Sequence, residues 1–124
     1  FMSRYSLGLV NLKPIVPGHV LVIPRRVVPR FQDLSLEEVA DLWSAAHALG
    51  PKLQDQFGAD ALTFAIQDGP AAGQTVAHVH IHILPRKAGD FVKNDDVYGS
   101  FSSFVDGLFN THPGFYVCDH LHFC

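Results

Sequence analysis

Cysteine is nearly missing from this chain: Cys118 and Cys124 are the only two, both near the end, so no disulfide can staple the body and the core must hold by packing. Long apolar runs are missing as well. No stretch approaches the roughly 20 residues that a bilayer-spanning helix needs, and Phe1-Met2-Ser3-Arg4 lacks the charged-then-apolar layout of a secretory leader. Nor does one sign of charge dominate. A net charge of -3 and a pI near 6.2 give no basic field for a nucleic-acid backbone, so phosphate recognition has to be local. Together these absences set the expectation of a soluble cytoplasmic protein, with the nucleus as a second compartment, and with no nucleic-acid or membrane partner. What remains, 124 residues with 48% hydrophobic and 17% charged, suits one small packed domain.

The apolar run Leu7 to Val10, the Pro14 to Gly18 connection and the run His19 to Pro24 read as strand, tight link and strand. Ser35 stands where a helix N-cap belongs, with Glu38 three residues on as its reciprocal partner and Leu34 opposite Val39 as a hydrophobic staple. From there Val39, Leu42, Trp43, Ala46, Leu49, Leu53 and Phe57 recur at helical spacing and predict one stripe laid against a sheet. Pro51 interrupts that pattern and predicts a kink or restart at Gly50-Pro51, with Gly58 as the end. Ala61 to Gln67 is rich in strand formers, Asp68 to Gly73 is a loop by composition, and Val76 to Leu84 reads as a further strand joined by a hairpin-length link. The expected fold class is α+β, an antiparallel sheet of four to five strands packed against one long helix. From about Asp95 the pattern loosens into a tail, within which Tyr98 to Val105 is apolar enough to pack.

Three histidines alternate in the last strand. Successive side chains of a strand point to opposite faces, so His78, His80 and His82 share one side while Val79, Ile81 and Ile83 supply core. A solvated strand face is the plain alternative. A metal site is the sharper one, with Asp68 as a further ligand, yet at about 3.3 Å per residue the outer histidines lie roughly 13 Å apart and at most two could share one ion. Covalent catalysis uses the spacing better: a central imidazole attacks phosphorus while its neighbours reach oxygens on either side. His47 reads as a surface residue, and Arg25-Arg26 and Arg86-Lys87 as solvated strand ends. Cys118 to Cys124, with His120 and His122 between them, resembles a metal-binding string, though no protein metal site is predicted.

Taken in order, Asn11-Leu12-Lys13-Pro14-Ile15-Val16-Pro17-Gly18-His19-Val20-Leu21-Val22, Gln67-Asp68-Gly69, Ala72-Gly73-Gln74-Thr75-Val76, His78-Val79-His80-Ile81-His82 and Leu84-Pro85-Arg86-Lys87-Ala88-Gly89-Asp90-Phe91 resemble the histidine triad superfamily, in its fragile histidine triad (Fhit) branch. The resemblance implies a domain over residues 1–95, followed by an atypical tail over 96–124. The branch's N-terminal strand pair falls where this chain has six residues before Leu7. It implies a dinucleoside polyphosphate hydrolase that splits diadenosine triphosphate into AMP and ADP. Carried over, His80 is the nucleophile that forms a nucleotidyl-histidine intermediate, His82 bonds the phosphate under attack, and His78 and His19 support the site. Asn11 falls at a ribose-contacting position, and Gln67, Gly73, Gln74, Thr75 and Val76 fall at positions that cradle phosphates. The implied partners are the nucleotide substrate and a second copy of the chain. A divalent cation, Mg or Mn, arrives with the polyphosphate and no cofactor is held by the protein. Two other readings share these residues: a purine-nucleoside phosphoramidase of the Hint-like branch, which tends to have Asn and Ser where this chain has Gln67 and Thr75, and a nucleotide-binding signalling protein with little turnover.

Overall fold

The computed structural model describes residues 1–101. Its elements run β1 (Ser6–Val10), β2 (Val20–Pro24), a short 3-10 turn (Phe31–Asp33), α1 (Leu36–Gln56), β3 (Ala61–Ile66), a second 3-10 turn (Pro70–Ala72), β4 (Ile81–Arg86) and α2 (Asp96–Gly99). The four strands form one antiparallel sheet in the order β1-β2-β4-β3. Because β2 and β3 both pair antiparallel with β4, they run parallel to each other, and parallel strands need a long crossover. That crossover is α1.

The helix starts where its local signals put it. Ser35 accepts from the Glu38 amide and Glu38 returns the bond to the Ser35 amide, closing the capping box. Its end is a Schellman turn, with Gly58 at φ 59° and the Ala59 N–H reaching back to the Gln54 carbonyl. The helix continues through Pro51 without the predicted restart. At Gly50 it lies so close to β3 that a Cβ would meet Phe64 at 2.8 Å and Leu62 at 3.0 Å. Leu42, Ala45, Ala46, Leu49 and Leu53 pack there on Val20, Val22, Ile81 and Ile83, which form the main core. Trp43 does not join them: it is 41% exposed, on the flank of the stripe instead of in the core as its spacing suggested.

Two further expectations change. The connection between β3 and β4 is not a hairpin but residues 67–80, and the histidine strand begins at Ile81, not Val76. Continuing the β2–β4 register beyond Val22↔Ile81 would set Pro24 opposite Val79. Proline has no N–H to give the ladder, and the Val79 N–H bonds instead to the Val28 carbonyl. Arg86 is also not a solvated strand end. It is 9% exposed, clamped by both oxygens of Asp90 at 2.6 and 2.9 Å, and lies over the Phe91 ring. That clamp folds the chain back so that Phe91, Val97 and Phe101 pack with Val16 and Leu84 on the sheet face away from α1. The Cys118 to Cys124 string and the rest of the tail lie outside the described residues.

Candidate active site

The face opposite α1 carries the histidines. Alternation along β4 puts Ile81 and Ile83 into the helical core and His82, Leu84 and Arg86 on the other side, with Leu21 of β2 and Ala65 of β3 flanking His82. Immediately before the strand, His80 sits beside His82 with ring centroids 4.9 Å apart. His19, just before β2, completes the group at 5.2 Å from His82. These three histidines and His78 are all buried, between 0% and 5% exposed.

Partners that can only donate or only accept fix where each proton sits. His19 Nδ1 receives the Ile15 N–H at 3.2 Å and the Asn11 Nδ2–H at 3.3 Å, so it carries no proton and Nε2 does. That Nε2–H donates to His82 Nδ1 at 3.0 Å, which places the His82 proton on its own Nε2. For His80 the order is reversed: Nδ1–H donates to the His78 carbonyl at 2.7 Å and Nε2 keeps its lone pair. His78 anchors the segment, taking the Val28 N–H on Nδ1 at 3.3 Å and bonding the backbone of Pro24. Its carbonyl orients His80, whereas its ring faces the chain after β2.

Burial keeps the set neutral. Desolvation, with repulsion from His80, pushes His19 down to about 4. The same two causes, with His19 added, push His82 down to about 2, and His80 and His78 are also lowered by burial. A buried lone pair at His80 Nε2 and a buried N–H at His82 Nε2 therefore stand side by side, and neither has a hydrogen-bond partner. That is a nucleophile next to a donor for the oxygen it would charge.

The sequence profile of the HIT domain matches residues 2–89. The chain belongs to the HIT domain family. It is 62% identical over 98 residues to the Arabidopsis thaliana bifunctional bis(5'-adenosyl)-triphosphatase/adenylylsulfatase FHIT, covering 79% of this chain and 54% of that protein. It is 56% identical over 98 residues to the Dictyostelium discoideum bis(5'-adenosyl)-triphosphatase, covering 79% and 66%. The chain thus spans from about half to two thirds of the length of these curated relatives. Among solved structures, the Caenorhabditis elegans NitFhit protein superposes with a TM-score of 0.71 at 48% identity, over 79% of this chain and 24% of that one. The Plasmodium falciparum diadenosine triphosphate hydrolase in complex with cyclomarin A superposes at 0.70 with 35% identity, over 87% and 76%. The α+β fold is the HIT fold.

Around the HIT histidines the sequence-assigned positions divide. Asn11 is buried behind His19, with one N–H of its amide on His19 and its oxygen on the Lys13 N–H, so it stiffens the relay. Gln67 continues the β3–β4 register to sit across from His80. Its Nε2 donates to the Ala72 carbonyl at 3.0 Å, which leaves Oε1 buried and unbonded. Gln74 is committed to the loop: it accepts from Gly69 and donates to Pro29 and Val76, while the Gly73 and Gln74 amides bond within the turn. The cradle expected of Gly73 and Gln74 donors is therefore built inward, and Thr75 is the exposed residue of the run.

Sequence reading missed the brace under this loop. Asp68, considered there as a metal ligand, takes the Arg30 guanidinium and the Phe31 N–H, each at 3.0 Å. Arg30 lies across Gly69, 3.0 Å from where a Cβ would stand. The brace rests on the carboxylate's reach to a basic residue 38 positions earlier, which no local pattern signals. Among the described residues no group of three His, Cys, Asp or Glu side chains is arranged to hold a metal ion. No described helix is long and apolar enough to cross a membrane.

Gly73 gives a direct check of the loop geometry. It has φ 89°, and a Cβ would stand 2.6 Å from Gln67 Nε2. Gly73→Ala is expected to lower stability by about 1–2 kcal/mol through the left-handed backbone alone, and to displace Gln67 from Ala72. Denaturant unfolding and the side-chain amide resonance of Gln67 read the two effects separately; an unshifted resonance would contradict the packing.

Proposed function

We propose that the chain hydrolyses a dinucleoside polyphosphate, diadenosine triphosphate, to AMP and ADP through a nucleotidyl-histidine on His80. The observation that carries this reading is the pair of opposed tautomers, a free lone pair on His80 Nε2 beside an N–H on His82 Nε2. The names of the Arabidopsis and Dictyostelium relatives support the substrate. His80 Nε2 attacks the α-phosphorus and the bridging P–O bond breaks, releasing ADP. His82 Nε2–H bonds the non-bridging oxygen where charge grows. Water then attacks the phosphorus, the P–N bond breaks, and AMP leaves with His80 restored.

Gln67 was expected among the positions that cradle phosphates. One N–H of its amide goes to the Ala72 carbonyl, which leaves a second N–H to donate to a phosphate and a buried oxygen to accept from a water or a ribose hydroxyl. A divalent cation belongs to this reading as a companion of the polyphosphate; among the described residues Asp68 is engaged by Arg30.

The experiment is mass spectrometry of protein mixed with diadenosine triphosphate and quenched in milliseconds. One adenylyl group on His80 is the expected result, and no adduct with intact substrate would end the proposal. Running adenosine phosphoramidate in competition separates the hydrolase from the Hint-like phosphoramidase, and AMP binding without turnover would identify a signalling protein.

A homodimer is part of the same proposal. Among the described residues strand β3 is a sheet edge, and Phe64 on it and Trp43 on α1 are each 41% exposed, with Gly50 of Trp43's own helical stripe so close that a Cβ there would stand 2.8 Å from Phe64. Aromatic residues exposed along an open edge are what an interface covers. Trp43→Glu with Phe64→Glu is expected to turn a dimer into a monomer in light scattering; a double variant of unchanged mass would refute this surface.

A further inference from the structure

Phe101 makes a contact that the chemistry above does not use. Its ring centroid lies 4.6 Å from that of His82 at 55°, and it is 1% exposed over a histidine that is 0% exposed. It reaches there by a chain of anchors: Arg86 clamps Asp90, Phe91 lies against Arg86, and Val97 of α2 is buried with Leu84. We infer that Phe101 is a positioning residue for the histidine relay, closing the sheet face over the His19–His82 hydrogen bond and holding His82 in one orientation and one tautomer.

The physical reason is local. A bond between two neutral imidazoles is modest, and water competes for both of its atoms. Without competition it strengthens, and His82 loses the freedom to turn over and present a lone pair to a phosphate oxygen. Phe101 has no polar atom to offer, so what it supplies is exclusion and shape. From the elements packed on His82, the groups that titrate are His19 before β2 and His80 before β4; β3 brings Ala65, and the segment after α2 brings Phe101 with Tyr98 beyond it. The repulsion on His82 comes from His80 and His19, with desolvation the larger cause. Removing the cover therefore acts first on the larger of the two.

The inference deepens the hydrolase reading and rests on it only for its kinetic consequence. The test is nitrogen-15 spectroscopy of the imidazoles in the full chain, free of substrate, for wild type and for Phe101→Leu, Phe101→Val and Phe101→Ala. Wild type is expected to show His82 wholly in the Nε2–H form, with no titration over the pH range in which the chain stays folded. The series is expected to show a growing second tautomer and a titration midpoint rising toward the ordinary histidine range, least for Leu and most for Ala. Catalytically, kcat should fall about tenfold in the Ala variant with KM little changed, and Leu should recover most of the loss. A His82 tautomer and midpoint unchanged in any folded member smaller than Leu overturns the inference. If the Ala variant does not fold, the Val variant gives the same answer. An inactive wild type with the tautomer shift present would sink the hydrolase reading and leave this one standing.

Discussion

His80→Asn is expected to fold, to bind nucleotide, and to hydrolyse diadenosine triphosphate on the order of 10⁴-fold more slowly than wild type, or worse. The substitution is chosen for what it keeps. An asparagine amide can still donate to the His78 carbonyl that now receives His80 Nδ1–H at 2.7 Å, and it is small enough for a space where His80 is 2% exposed. What it lacks is a lone-pair nitrogen at the Nε2 position, and amide nitrogen is no nucleophile. His82 keeps its proton because that is set from behind, by Ile15 and Asn11 through His19. Binding measured by calorimetry should therefore change little while the adduct disappears. Turnover within tenfold of wild type would mean that the reacting group is elsewhere.

How much of this was visible in the sequence depends on how far apart the partners lie. The start of α1 was legible because Ser35 and Glu38 are three residues apart, and its end because Gly58 alone tolerates the left-handed turn at little cost. The shared face of His80 and His82 was legible for the same reason, since alternation is a local rule. Trp43 was misread because helical spacing gives the width of a stripe without saying which edge meets the sheet. The late start of β4 was not legible, as it depends on the missing N–H of Pro24, and neither was the Arg30–Asp68 brace. Gln67 and Gln74 look equally able to hold a phosphate on paper. Only the loop geometry shows one with a free oxygen and the other spent on Gly69, Pro29 and Val76. Residue types that do chemistry were recognisable, but which of their atoms remain free was a property of contacts distant in the chain.

The neutral relay also ties stability to pH, and the expected loss is large. His19 and His82 have pKa values lowered to about 4 and about 2 by burial, against about 6.5 in an unfolded chain. Below pH 6.5 the unfolded chain takes up protons that the folded one refuses, so the stability these groups contribute is fully present above pH 6.5 and is lost as pH falls. Each costs about 1.4 kcal/mol per pH unit while its ring stays neutral in the fold. Between pH 6.5 and 4.5 the two together remove roughly 5 kcal/mol, comparable to the whole stability of a small domain, ~5–15 kcal/mol. His78 and His80, also lowered, act in the same direction. Carboxylates touch only the low end of this window: Glu38 and Asp90, held down to about 2 by Arg26 and Arg86, lose their contribution progressively from about pH 5 down through the ordinary carboxylate range. Urea unfolding followed by circular dichroism should show the midpoint falling steeply from pH 6.5 to 4.5 and level above 7. A flat midpoint across that interval would show that the folded chain takes up protons on these rings as readily as the unfolded one. In that case, below pH 6.5 His82 would carry a proton on the Nδ1 that now accepts from His19, and the tautomer pair on which the nucleophile depends would be lost over that range.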